Sequence, residues 1–132
     1  MSVIEKRMMR EIYTNDEKLS ELWARASDHF QKGNRQFALK LFQDLARLGV
    51  GAAYVEIGSI FEDGSHGVER DLLLAEKNYR LAIEMGEGDY AKLCLARILV
   101  NPKNPRGDVE TGLDYLKTLS DTLPGASFGV GL

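Results

Sequence analysis

The sequence predicts an all-α chain: an α/α superhelix (solenoid) of about three helical hairpins with an N-terminal capping helix. Three observations predict it. Apolar residues recur three and four positions apart along nearly every long segment, which places them on one face of a helix. No stretch alternates apolar and polar residues cleanly enough for a strand. The helical pattern also repeats: Gly49 and Gly86, Asp71 and Asp108, and Ala38 and Ala75 are each 37 positions apart, as are Phe42, Tyr79 and Leu116 in succession. Self-similarity at such a period marks a stack of supersecondary units.

The elements follow in order. Ser2 and Glu5 form a capping-box pair ahead of a helix from Val3 to about Tyr13. Thr14 and Glu17 repeat the signature, so a second helix starts there, carries Leu19, Leu22, Trp23, Ala26 and Phe30 on one stripe, and ends at Gly33 and Asn34. A third, from Arg35 to Leu48, presents Phe37, Ala38, Leu41, Phe42, Leu45 and Leu48 before Gly49 closes it. From Ala52 to Asp63 the residues Tyr54, Ile57, Ile60 and Phe61 share a face. The segment Gly64, Ser65, His66, Gly67, Val68 then reads as an ordered loop. Asp71 caps a helix from Leu72 to Met85 that buries Leu74, Ala75, Tyr79, Ala82 and Ile83. The next helix, Asp89 to Val100, is broken by Asn101 and Pro102, and a last arm runs from Asp108 to near Leu123.

Small residues such as Gly58, Ala75, Ala82 and Ala96 allow helices to approach to about 8–10 Å, and Phe42, Phe61 and Tyr79 fill the spaces between crossings. A lone hairpin leaves one face wet, whereas three stacked hairpins bury a continuous core. The residues Ala53, Ile57, Gly58, Phe61, Gly64, Gly67, Val68, Asp71, Ala75, Tyr79, Ala82 and Gly86 resemble a nearly full SEL-like repeat, a relative of the tetratricopeptide repeat. The preceding unit is similar to a plainer tetratricopeptide repeat, with Trp23, Ala26, Ser27, Phe30, Ala38, Phe42 and Leu45, and its turn is about six residues shorter. A third unit is degenerate, with Ala96 in the place of Gly58, Gly112 in that of Ala75 and Leu116 in that of Tyr79. The expected organisation is a single domain: cap helix 1–14, repeat 1 over 15–49, repeat 2 over 50–86, repeat 3 over 87–123, and a tail, 124–132, that looks like the start of a fourth repeat. The resemblance implies a right-handed helical solenoid used for protein recognition, and it implies no reaction.

Composition narrows the function classes. A net charge of -3 gives no general attraction for phosphate backbones, so no nucleic-acid partner is expected. The apolar stretches are shorter than the roughly 20 residues that cross a bilayer, and the N-terminus lacks the apolar run of a signal peptide. Lys6, Arg7 and Arg10 are diluted by Glu5 and Glu11, so a membrane-surface helix is not expected either. Cys94 is the only cysteine, which excludes an internal disulfide and a multi-cysteine zinc site, fits a reducing compartment and reads as a small buried hydrophobe. The expected localisation is cytoplasmic.

The sequence assembles no catalytic constellation. His29 and His66 are the only histidines, and only Asp63, three positions before His66, stands at a metal-ligand spacing. Ser65 beside His66 is sequence adjacency, which fixes no geometry. Gly64 and Gly67 lack the strand and the Lys of a phosphate loop, and the Glu62–Asp63 pair reads as a run on a solvated face. No catalytic residue, metal site or cofactor is expected, and no enzyme.

The reading that remains is a non-enzymatic adaptor that docks a partner's peptide or helix on the concave face. The first arm of each hairpin is expected to line that face, with Arg25, Asp28, Lys32, Glu56, Ser59 and Arg97 towards the groove and Val55 and Leu93 supplying apolar surface. An accessory or assembly subunit of a larger complex is the alternative, ahead of an enzyme. Gly125 to Leu132 forms a short apolar tail at a solenoid end, an arrangement that invites self-association. Light scattering across the micromolar range is expected to give a mass above that of the monomer; a clean monomer mass removes the self-association.

Overall fold

A computed structural model of the chain describes residues 2–104 and 107–122, with the side chains of 6–14, 121 and 122 left undescribed. The tail 124–132 and Leu123 lie outside the described residues. Among those described there are six helices: α1 (Val3–Gln31), α2 (Arg35–Arg47), α3 (Ala52–Asp63), α4 (Leu72–Glu84), α5 (Asp89–Leu99) and α6 (Val109–Thr122).

The caps are local. The Ser2 hydroxyl accepts from the Glu5 N–H at 3.1 Å, the Asp71 carboxylate from Leu74 N–H at 3.0 Å, and the Asp108 carboxylate from Thr111 N–H at 3.1 Å. The turns after α1, α2 and α4 share one construction, in which the residue after the closing glycine donates back across the helix end: Asn34 N–H to His29 O at 2.8 Å, Val50 to Leu45 at 3.0 Å and Glu87 to Ala82 at 2.9 Å. Gly49 and Gly86, one repeat apart, take φ of 91° and 89°, where a Cβ is disfavoured.

One boundary differs from the expectation. α1 runs unbroken from Val3 to Gln31, through the capping signature at Thr14 and Glu17. No Gly or Pro interrupts that span. Continuing the helix keeps the i→i−4 hydrogen bonds that a break would orphan, and cap-forming residues tolerate a helix interior.

Each helix packs chiefly on the next in the chain, α1 on α2 through to α5 on α6, so the arms pile up in order as in a solenoid. Two core clusters result. Ala26, Ala38, Phe42, Leu45, Ala53, Ile57 and Ile60 join α1, α2 and α3, with Trp23 edge-on to Phe42 at 5.1 Å. Ala75, Tyr79, Ala82, Cys94, Leu95 and Ile98 join α4 and α5, together with Val55 of α3. Tyr54 and Phe61 touch both clusters, so α3 is the seam between them. The period read from the sequence is a period of packing: Ala38 and Ala75 are fully buried, and Phe42, Tyr79 and Leu116 are at most 9% exposed. Phe37 and Leu48, expected on the buried stripe of α2, are exposed. Ala38, Phe42, Leu45 and Ala46 of α2 are buried in the core and Leu39 and Leu41 pack against it; Phe37 stacks instead on the His29 ring at 5.6 Å, and Leu48 is the C-cap, beyond the last packed turn.

The tightest crossing is α3 on α4. A Cβ added at Gly58 would lie 2.6 Å from Tyr79 Cε1, and the Tyr79 ring has no free side to retreat into. Gly58→Ala is therefore expected to destabilise the fold by about 1–2 kcal/mol, overpacking outweighing the gain in helix propensity. A urea midpoint equal to or above wild type would contradict this packing.

Candidate functional site

A cleft of about 520 Å³ opens between the α1–α2 turn, α3, the loop after α3, and α5, lined by Phe30, Arg35, Ser59, Glu62, Asp63, Arg70 and Arg97. Its walls come from separate repeats, so stacking creates it. The first wall is Arg35, the opening residue of α2. Its guanidinium lies 3.7 Å from the centroid of the Phe30 ring, its side chain is 16% exposed, and Nη1 stands 3.6 Å from the Asp63 carboxylate. Its Nε is buried and makes no hydrogen bond among the described residues.

The opposite wall is a network centred on Glu62. Its Oε1 accepts from Tyr79 Oη at 2.7 Å and from Arg97 Nη2 at 2.7 Å, while Oε2 accepts from Arg97 Nε at 2.9 Å. Ser59 Oγ lies 3.3 Å from Tyr79 Oη. Burial alone would raise the Glu62 carboxyl. Hydrogen bonds from Arg97 and Tyr79, with the charges of Arg97 and Arg70, outweigh it and hold the group below the usual carboxylate range. Burial pushes the Tyr79 phenol up, and the Glu62 hydrogen bond raises Arg97 further, so all three keep their ordinary charge states at neutral pH.

The loop 64–71 supplies the third side. Gly64 turns it at φ 60°, and the chain returns so closely that a Cβ there would fall 2.2 Å from Arg70 Cβ. The Asp71 N–H donates to Phe61 O at 2.9 Å and closes the loop. The loop is also tied to the first hairpin: Gln36 Nε2 donates to Gly67 O at 2.8 Å, and a Cβ on Gly33 would lie 3.0 Å from the His66 ring. Ser65 donates to Asp63, and its Oγ lies 2.9 Å from His66 Nδ1, so these polar residues brace the loop. No group of three or more His, Cys, Asp or Glu among the described residues is arranged to hold a metal ion, and no described helix is long and apolar enough to cross a membrane.

No family model and no curated protein sequence matches the chain. Among solved structures it is similar to the crystal structure of a Sel1 repeat protein from Oxalobacter formigenes, with a TM-score of 0.54 and 28% sequence identity. The match covers 66% of this chain and 35% of that one, so the chain spans about a third of its relative's length. The fold is that of a SEL-like helical-repeat protein.

Within that SEL-like stack, the residues expected to line a groove are divided. Ser59 and Arg97 line the cleft. Arg25, Asp28 and Lys32 are exposed on α1 away from its lining, and Lys32 pairs with Asp28 at 2.9 Å. Glu56 and Leu93 are half-buried outside the lining, and burial raises the Glu56 carboxyl. Val55, expected to offer apolar surface, is 5% exposed and belongs to the core, because α3 is covered by α4 and α5 on that side. Glu62, read from the sequence as a solvated charge, is the hub of the polar network, with its side chain 18% exposed. A signal for it existed. Arg97 lies 38 positions after Ser59, the first-arm period, and Glu62 is one helical turn beyond Ser59, so neighbouring arms bring Glu62 and Arg97 together. Nothing in the spacing pointed to Arg35 or Arg70.

The lowered Glu62 pKa fixes the sign of a pH dependence. The charged carboxylate stabilises the fold above the unfolded range near pH 4.3, and that contribution is lost as pH falls through the lower folded value. Glu62→Gln is expected to cost about 1 kcal/mol at pH 7, discounted for the half-exposed Arg97, and to flatten the acid limb of stability. Urea unfolding between pH 3 and 7 measures this; parallel wild-type and mutant curves would contradict it.

Proposed function

We propose that the chain is a non-enzymatic scaffold that docks another protein, a peptide or a helix, along the first-arm face of its SEL-like solenoid. The observation that carries this reading is the cleft between repeats, where side chains from α2, α3, α5 and the 64–71 loop converge on an open surface. Such a surface suits an extended or helical partner, with polar groups held by neighbouring repeats to fix its register. The similarity to a Sel1 repeat protein supports a recognition role of this kind. The buried Cys94, whose thiol burial pushes up, supports a reducing, cytoplasmic setting, and self-association through 124–132 is part of the same proposal.

A second reading, an accessory or assembly subunit, is favoured by one surface. Leu73, Leu74 and Leu81 of α4 form an apolar strip flanked by Glu76, Lys77 and Arg80, and a neighbouring chain would cover it.

Capture from native lysate with the immobilised chain, followed by cross-linking, separates the two. Cross-links at Ser59 and Arg97, lost on Arg97→Glu with helical content unchanged by circular dichroism, are the expected result. Cross-links confined to α4 would replace docking in the cleft by the accessory-subunit reading.

A further inference from the structure

We infer that the cleft between the α1–α2 turn, α3 and α5 recognises an acidic segment of a partner protein, with Arg35, Arg70 and Arg97 as its carboxylate-binding residues. This rests on the docking reading and adds the chemistry of the partner.

The three arginines keep hydrogen-bond donors to spare. Arg97 commits Nε and one Nη2 hydrogen to Glu62, which leaves three of the five guanidinium hydrogens to turn elsewhere. Arg35 is held over the Phe30 ring with only a long contact to Asp63. Arg70 makes no hydrogen bond or ion pair with a described residue, although it lines the cleft and its charge is felt at Glu62. Its backbone is nonetheless fixed by the close approach of Gly64 and by the Asp71–Phe61 hydrogen bond. Two of the three arginines are thus held in place by neighbours, and the third stands on a braced backbone, so little ordering entropy is lost when a ligand arrives.

The charge balance selects the anion. Three guanidinium groups face two carboxylates, Glu62 and Asp63, which leaves one unbalanced positive charge. A carboxylate monoanion neutralises it and suits the planar fork of arginine. A phosphate dianion would reverse the sign of that balance in a cleft that already holds the Asp63 carboxylate. Nucleic acid is disfavoured further by the net charge of -3. The longer turn of the second repeat, absent from the first, is what brings Arg70 to the cleft. An acid-binding site of this composition is therefore a property of that junction.

The test uses the full chain and a fluorescently labelled synthetic peptide of alternating glutamate and alanine, beside its glutamine counterpart and a phosphoserine counterpart, titrated by anisotropy to millimolar concentration. The glutamate peptide is expected to bind about ten-fold or more tightly than the glutamine peptide and more tightly than the phosphoserine peptide, and to weaken as salt is raised. Arg70→Gln, which removes an exposed side chain, is expected to weaken binding about ten-fold while shifting the urea midpoint far less than Glu62→Gln does. Arg80→Gln, on the outer face of α4 where Arg80 pairs with Glu76, should leave it unchanged. Equal binding of the glutamate and glutamine peptides, tighter binding of the phosphoserine peptide, or an unaltered Arg70→Gln variant overturns the inference. Cross-links at Ser59 and Arg97 to a captured protein would survive such a failure and leave docking intact without acidic recognition; their absence as well would remove both.

Discussion

Tyr79 lies against the backbone of α3 because residue 58 has no side chain, and much of the molecule is arranged around that contact. The side chain is fully buried, and its hydroxyl donates to the Glu62 carboxylate at 2.7 Å. A buried phenol needs such a partner, since leaving it unpaired would cost more than the hydrogen bond contributes on balance. The carboxylate that satisfies it is then free to hold Arg97 from the next repeat with both oxygens. One missing Cβ thus sets the distance between α3 and α4 and seats the polar group that links α3 to α5.

The same economy governs the loop after α3. Its reversal at Gly64 and its closure onto Phe61 leave a rigid strap that contacts the first hairpin through Gln36 and Gly33. The strap stands where a plainer helical hairpin has only a short turn. It therefore does two things at once: it stiffens the junction of the first two repeats, and it carries Arg70 to the edge of an open surface. In a solenoid whose helices touch mainly their neighbours in sequence, such cross-repeat ties decide how far successive arms can flex.

The two faces of the stack are chemically unlike. The cleft is polar and cationic on balance, built from residues that bond each other across repeats. The outer side of α4 is apolar with charges at its margins and is made by one helix alone. Surfaces of the first kind favour selective recognition through fixed donors, whereas the second kind favours burial against a broad neighbour.

Sequence reading reached the helices, the turns and the period because those depend on local rules: caps at Ser2, Asp71 and Asp108, closing glycines at 49 and 86, and small residues recurring every 37 positions. It placed a helix break at Thr14 that the backbone ignores, since a cap signature permits a start without enforcing one. It assigned Val55 to an open face and Glu62 to solvent, and both are covered. The amino-acid order by itself determined that hairpins form and stack, because hydrophobic spacing and turn chemistry act over a few residues. Only the tertiary structure decided which charges meet, because Arg35, Glu62 and Arg97 are brought together by the stacking of successive arms and Arg70 by the return of the loop at Gly64, and both depend on close packing such as Gly58 on Tyr79.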